Sequence, residues 1–189
     1  MIPLLSQKVL IFAQRIQPDQ AAVSKWSGLM YHLNELQIHL PMIIDTLKKI
    51  FSRDLEKLRT EIELYRSEEI IWHIEKSIAN SGGNLCLHLV GNLNAYIGVG
   101  LAKIDYLRRR DLEFTLKDVP RGELLDKIDK TMIVVENGLN NLSADQLYKD
   151  FPIVVWEKPT ETEFTLVHLA THLTYHLGQI NYHRRLLDK

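Results

Sequence analysis

The chain is poor in the features that mark several common protein classes. It has a single cysteine, Cys86, among 189 residues, so no internal disulfide can form and a reducing compartment is expected. The formal net charge is -1, which gives no electrostatic case for binding nucleic acid. No apolar run approaches the roughly 20 residues that span a bilayer, and the N-terminus lacks the basic region of a signal peptide. We therefore expect a cytoplasmic protein with neither a membrane nor a nucleic-acid partner.

Proline and glycine are also scarce, at 6 and 9 residues, and they fall mostly between stretches of helical periodicity. Apolar residues recur at three- and four-residue steps in four long stretches, at about 43–65, 84–109, 120–142 and 161–187. No long alternation of apolar and polar residues indicates a sheet. The sequence therefore predicts an all-α four-helix bundle, because a bundle is the economical way to bury four apolar stripes.

Polar residues between these stretches indicate how the helices begin. Residues 66–80 read as an irregular connection, and the segment 80–83 (NSGG) then offers side-chain caps for a new helix. Ser143-x-x-Gln146 has the form of a capping box for one short helical turn, and Thr160-x-x-Glu163 has the same form at the start of the last helix.

The last predicted helix is rich in histidine: four of the eight histidines fall between residues 168 and 183. Side chains four or seven positions apart share one helical face, which predicts a single polar stripe. Its members are Thr165, His168, His172, Tyr175, His176, Gln179 and His183. His172 and His176, four apart, can present two nitrogens to one metal ion. A solvated histidine-rich face or hydrogen-bonded core histidines remains the alternative, because the pattern needs only two residue types.

The second predicted helix supplies a third candidate ligand, His88. It shares its face with small or polar residues where a purely structural helix would favour leucine, namely Asn84, Gly91, Asn92, Ala95 and Val99. This strip leaves room beside His88 for a neighbouring helix, a ligand or water. A lone histidine usually belongs to the core, but a histidine-rich helix in the same bundle favours a shared site. Cys86 is a poor ligand because it lies about 200° around the helix from His88.

Other polar residues are interpreted as solvated. The basic patch at 108–110 is followed at once by Asp111 and Glu113, as at a solvated helix end. Most of the carboxylates on polar helix faces are interpreted as solubilising charges, in a set made up of Asp54, Glu56, Glu61, Glu63, Glu68 and Glu69. No serine elbow, no phosphate-binding glycine loop and no repeated Glu-x-x-His pair is present, which argues against serine hydrolases, nucleotide-binding loops and di-iron bundles.

Three separated segments carry a resemblance to a known family. They are residues 80–94 (NSGGNLCLHLVGNLN), 110–120 (RDLEFTLKDVP) and 168–187 (HLATHLTYHLGQINYHRRLL). In this order they resemble the DinB-like superfamily, and within it a bacterial branch related to the bacillithiol transferases. The resemblance covers about residues 43–188 and implies a four-helix bundle with up-down-down-up topology.

The resemblance also implies a metal site. The family commonly holds a divalent ion by one histidine on the second helix and two on the last, and the matching positions are His88, His172 and His176. Zinc and nickel are the favoured ions, and iron and copper also suit imidazole. The remaining polar residues are candidates for orienting ligands or substrate: Asn84, Asn92, His168, Tyr175, Gln179 and His183.

By the same likeness, the metal binds a low-molecular-weight thiol in a metal-dependent thiol S-transferase, and the chain forms a homodimer. No general base can be assigned. Two alternatives stay open: a non-catalytic, stress-associated helical binding module and a metal-dependent hydrolase.

Residues 1–41 do not resemble the family. They read as an N-terminal extension, either a helical segment or the product of a mis-assigned start, because Met42 stands where the family's proteins tend to begin. The predicted domain organisation is therefore an extension at 1–41 and a bundle domain at 42–189.

Overall fold

The computed structural model of the protein describes residues 43–189, and the predicted N-terminal extension lies outside this range. Within it the chain forms six α-helices and no β-strand, which confirms the all-α prediction. The helices are α1 (43–63), α2 (Glu68–Trp72), α3 (Gly82–Leu93), α4 (Arg110–Thr115), α5 (Arg121–Asn140) and α6 (Thr162–Leu187).

The four long helices pack as a bundle. Helix α3 contacts both α5 and α6. Helix α1 joins α5 through an ion pair between Arg59 Nε and Asp129 Oδ1, 2.9 Å apart. The apolar stripes of the four helices meet in the centre, where the fully buried side chains include Phe51, Leu89, Ile128 and Leu173. The predicted bundle is confirmed, while the up-down-down-up order of helix directions stays a prediction.

Polar contacts fix one edge of α6 against α1. Thr174 Oγ1 donates to Asp54 Oδ2 at 2.6 Å, and Asp54 is only 1% exposed. Two turns later, Asn181 and Arg184 both donate to the carboxylate of Glu61, at 2.8 and 2.7 Å. Asp54 and Glu61 are therefore structural, and they are exceptions to the interpretation of most of these carboxylates as solubilising charges. These contacts fix the rotation of α6 about its axis, and so the direction in which its other edge points.

Helix α3 begins as its sequence predicts. The Ser81 hydroxyl accepts a hydrogen bond from the backbone N–H of Asn84 at 3.2 Å, which is an N-cap. The preceding connection is not wholly irregular, because it contains α2, which buries Trp72. The indole of Trp72 packs on Gly83, where a Cβ atom would lie 2.7 Å from the ring. Only glycine therefore fits this position without displacing the ring.

Helix α3 ends well before the predicted end near residue 109. Its hydrogen bonding widens to the π-helical pattern over Asn94–Ala102, and Lys103 then adopts the left-handed region with φ of 58°. Tertiary packing explains this end: Gly98 accommodates Ile104, whose Cδ1 would lie 2.7 Å from a Cβ at that glycine. The chain then turns back, so that Arg108 Nη2 lies 3.4 Å from the His88 ring.

The segment Gly82–Ala102 is long and apolar enough to cross a membrane by composition alone. This finding corrects the expectation that no apolar run approaches that length. Most of the segment is buried in the protein, as in the core helix of a soluble domain. Its apolar character follows from its central position, since α4, α5 and α6 all pack against it.

The two predicted capping boxes differ in outcome. In the first, the Ser143 backbone N–H donates to Gln146 Oε1 at 2.7 Å, which confirms the box. The second does not form, because α6 begins after Glu161, which makes no side-chain cap. Thr160 instead hydrogen-bonds through its hydroxyl to that of Thr165, 2.8 Å away.

We expect Gly178→Ala to stabilise the protein. Gly178 lies exposed in the middle of α6, and a Cβ atom there would meet nothing within 4 Å. Alanine favours the helix by about 1 kcal/mol relative to glycine. Urea denaturation of the metal-free protein should show a rise of roughly 0.5–1 kcal/mol in the free energy of unfolding. Gly83→Ala is the matched control and should destabilise, because its Cβ meets Trp72. A loss of stability in Gly178→Ala would contradict this reading of α6.

Candidate metal centre

Three imidazole rings converge where α3 packs against α6. His88 on α3 is buried, while His172 and His176, one turn apart on α6, are half-buried. The His172 Nε2 atom lies 3.2 Å from His88 Nε2 and 3.1 Å from His176 Nε2. One nitrogen from each ring lies within 4.8 Å of the other two. The structure therefore brings together all three residues predicted as metal ligands.

Hydrogen bonds on the far side of two of these rings place a proton on Nδ1. His88 Nδ1 lies 2.9 Å from Glu113 Oε2, and an ionised carboxylate only accepts, so Nδ1 donates. His176 Nδ1 likewise donates to Gln179 Oε1 at 2.7 Å. In the neutral form of each ring, the proton on Nδ1 leaves a lone pair on Nε2, and both lone pairs face His172 Nε2, which can supply one proton at most. A cation among the three nitrogens would satisfy every lone pair.

The spacing of the nitrogens also fits a metal ion. Two nitrogens bound tetrahedrally to zinc at 2.0–2.1 Å lie about 3.3 Å apart. The two shortest separations here are 3.1 and 3.2 Å. Three protein ligands would leave a further position open on a bound ion, which is the arrangement of catalytic rather than structural zinc sites. The same donors suit nickel, iron and copper, so the identity of the ion stays a prediction.

Glu113 supports His88 from behind. It is 6% exposed, and Arg108 holds it with two hydrogen bonds, Nε to Oε1 at 2.7 Å and Nη2 to Oε2 at 2.9 Å. Burial alone would raise the pKa of the Glu113 carboxyl, but hydrogen bonds from Arg108 and His88 outweigh burial and lower it. The carboxylate therefore stays ionised. A carboxylate on the outer nitrogen of a histidine ligand fixes the ring and makes it a better donor.

Sequence reasoning missed this ion pair. The interpretation of residues 108–113 as a solvated helix end is wrong, because Glu113 is buried and Arg108 is half-buried. Glu113 fills the room that the small-residue strip leaves beside His88. A Cβ atom on Gly91 would collide with the Glu113 carboxylate. Gly91, one turn from His88, signals that some group approaches closely, but it does not say which group.

Of the other predicted candidates, Gln179, Tyr175 and His168 lie at the centre. Gln179 bonds to His176 directly, and its Nε2 donates to the Tyr175 hydroxyl at 3.3 Å, which orients the amide. The His168 ring stacks beside that of His172, with 6.1 Å between centroids.

Asn84 and Asn92 have other surroundings. Asn84 Nδ2 donates to the carbonyl oxygens of Glu113 and Leu116, at 3.0 and 2.9 Å. Asn84 therefore holds α4 against α3 and acts on the centre only through the position of Glu113. Asn92, one turn beyond His88, is buried, and its Oδ1 has no hydrogen-bond partner within residues 43–189.

His183 belongs to a different network. Its Nε2 donates to the carbonyl oxygen of His73 at 2.8 Å, and its Nδ1 accepts from the Tyr65 hydroxyl at 2.7 Å. Burial lowers the pKa of His183 and raises that of Tyr65. Both ring nitrogens are engaged, so His183 ties α6 to the end of α1 and makes no contact with the three converging rings.

Burial also sets the state of two further groups. It lowers the pKa of His172 to about 4, and the nearby His176 and His88 rings add to the effect. His172 is therefore neutral and able to bind a metal at neutral pH. Burial raises the pKa of the Cys86 thiol to about 12, which agrees with its exclusion as a ligand.

The fold and the site define a helical-bundle protein with a three-histidine centre that can hold a metal ion. Over residues 41–189 the chain matches a family described as "Protein of unknown function (DUF1572)", and it belongs to that family. Among solved structures it is similar to a conserved protein from Enterococcus faecalis, with a TM-score of 0.59 and 16% identity. That match covers 76% of this chain and 95% of the other, and at this identity it shows the fold alone. No curated protein matches the chain.

We expect the stability of the metal-free protein to fall as the pH drops from about 6.5 to 4. An unfolded histidine protonates near 6.5, whereas folded His172 does so at about 4. Between these values the unfolded chain binds the extra proton, so lowering the pH favours unfolding. Urea midpoints measured at several pH values should decline over this range, and His172→Asn should show a smaller decline. Equal pH dependence in the two proteins would contradict the buried, neutral state of His172.

We expect Glu113→Gln to weaken metal binding about 10- to 100-fold, because loss of a carboxylate behind a histidine ligand has effects of this size. Competition against a chromophoric chelator would measure the affinity for Zn²⁺. Glu123→Gln is the matched control, since Glu123 forms an exposed pair with Lys127 on α5. An unchanged affinity in a folded Glu113→Gln variant would show that Glu113 does not support the ligand.

Proposed function

We propose that the protein is a DinB-like, metal-dependent thiol S-transferase. The observation that carries the proposal is the convergence of three imidazole rings, two of which are held by a hydrogen bond at the nitrogen that faces away from the other rings. The resemblance of residues 80–94, 110–120 and 168–187 to the superfamily that contains the bacillithiol transferases supports the same reading.

The charge of the site favours an anionic ligand. His88, His172 and His176 would hold the ion as neutral imidazole ligands, which leave its double charge uncompensated. Arg108 offsets the charge of Glu113. A divalent ion in such a setting supplies Lewis acidity, which keeps a bound thiol in its thiolate form near neutral pH.

Thiol chemistry suits the surrounding residues better than hydrolysis does. Hydrolysis calls for a base beside the attacking water, but both oxygens of Glu113 are already engaged by Arg108 and His88. A thiolate is a nucleophile without further deprotonation. The overall reaction replaces a leaving group on an electrophilic carbon by the thiol sulfur and releases the leaving group and the proton of the thiol. A homodimer and a cytoplasmic location, expected from the sequence, stay predictions.

Metal analysis and activity measured together test the proposal. Purified protein should contain a divalent metal by elemental analysis. It should also couple a small thiol, such as cysteine or 2-mercaptoethanol, to 1-chloro-2,4-dinitrobenzene. His172→Ala should lose both properties, because the two remaining imidazoles hold an ion weakly. His73→Ala removes an exposed imidazole outside the centre and should keep both.

Three results would contradict the proposal, each in a different way. Protein without metal, even after incubation with Zn²⁺ or Ni²⁺, would remove its basis. A metal-dependent turnover of esters that needs no thiol would favour the hydrolase. Bound metal without turnover across a broad panel of thiols and electrophiles would favour a non-catalytic binding module.

A further inference from the structure

Each candidate ligand ring lies beside another ring. The pairs and the distances between their centroids are His88–Phe114 at 5.0 Å, His176–Tyr175 at 5.1 Å and His172–His168 at 6.1 Å. Beside His172 the rings continue outward. Trp156 packs edge-on against His168 at 4.7 Å, and Phe164 lies 5.7 Å from Trp156. We call His168, Trp156 and Phe164 the aromatic row.

The aromatic row is not part of the hydrophobic core. Trp156 is 37% exposed and Phe164 is 59% exposed. The core face of α6 is instead formed by leucines such as Leu166 and Leu169, which are fully buried. The row therefore runs from the edge of the metal centre to the surface, and Phe164 at its outer end is mainly exposed to solvent.

The loop that carries Trp156 is anchored at both ends. Phe151 is buried, and its backbone N–H donates to the carbonyl oxygen of Thr160 at 2.8 Å. The Thr162 N–H donates to the carbonyl oxygen of Lys149 at 2.9 Å. These bonds close the loop at the start of α6, so the indole is held against His168, on the same helix as two of the ligands.

We propose that the aromatic row binds a planar, apolar group of the ligand whose thiolate takes the open position at the metal centre. The inference rests on the proposed function, and it specifies the substrate class as a small thiol with an aromatic or similarly flat body. Continuity supports this occupant: a ring a few bonds from a sulfur at the centre meets His168 first and Trp156 next. Aromatic pairs add affinity beyond the burial of area, since ring edges and faces attract one another.

Two thiols that share an ethylthiol group, 2-phenylethanethiol and ethanethiol, isolate the contribution of the flat group. The full chain is loaded with Co²⁺, and the thiolate-to-cobalt absorption band reports binding as each thiol is titrated. We expect the phenyl compound to bind about tenfold more tightly, which is a typical gain for one aromatic contact with burial of the ring.

Substitutions then locate the contact. Trp156→Leu keeps an apolar cover but removes the flat ring, and it should reduce the preference to less than about threefold while ethanethiol binds as before. Tyr182→Ala is the matched control, because Tyr182 is a 67% exposed ring on α6 outside the aromatic row. It should keep the full preference. Circular dichroism and Co²⁺ affinity verify that both variants fold and hold metal.

The outcomes separate this inference from the proposed function. Absence of Co²⁺ binding, or of any thiolate band, overturns the proposed function. Equal binding of the two thiols to wild-type protein overturns the aromatic row as a binding surface. A full preference retained in Trp156→Leu does the same. If Trp156→Leu fails to fold, saturation-transfer NMR on Zn²⁺-loaded wild type replaces it. Absence of transfer from the assigned indole protons of Trp156 to the phenyl ring of the thiol would overturn the inference.

Discussion

The buried ion pair between Arg108 and Glu113 is the contact on which the arrangement of the centre depends. It places the Glu113 carboxylate inside the bundle. The buried charge is tolerated because Arg108 and His88 donate hydrogen bonds to both carboxylate oxygens. Three features of the backbone make it reachable: a glycine at position 91, an early end to α3 and a returning segment after Lys103. Without this pair the ring of His88 would lack the acceptor that fixes its tautomer.

Helix α6 packs against α1 along one edge and carries two of the three converging histidines along the other. One edge bonds to α1 through Thr174, Asn181 and Arg184, and the other presents His172 and His176 towards α3. The contacts with α1 fix the rotation of α6 about its axis. His172 and His176 therefore face His88 without further contacts to orient the helix. Residues that hold α6 against α1 and residues that form the three-histidine centre thus alternate along the helix, because the helical repeat places them on different edges.

Periodicity was sufficient to predict the long helices, apart from the end of α3, and the pairing of His172 with His176, because both depend on local geometry. It failed for His183, which lies near the same angle but about 10 Å further along the axis than His176. The angle of a side chain around the helix does not tell which neighbouring element it contacts at a given position along the axis. At His183 the neighbour is Tyr65. It also failed for Glu113, since the turn that returns this residue to His88 is set by tertiary packing around Gly98.

The three-histidine centre joins side chains from two helices that are more than eighty positions apart in sequence. An ion bound there would act as a reversible cross-link between distant parts of the chain. Because binding to the native state alone adds stability in proportion to the logarithm of free ligand, the free energy of unfolding would rise with the supply of metal. Shortage of that metal would then leave a less stable bundle, which is more open to unfolding and proteolysis.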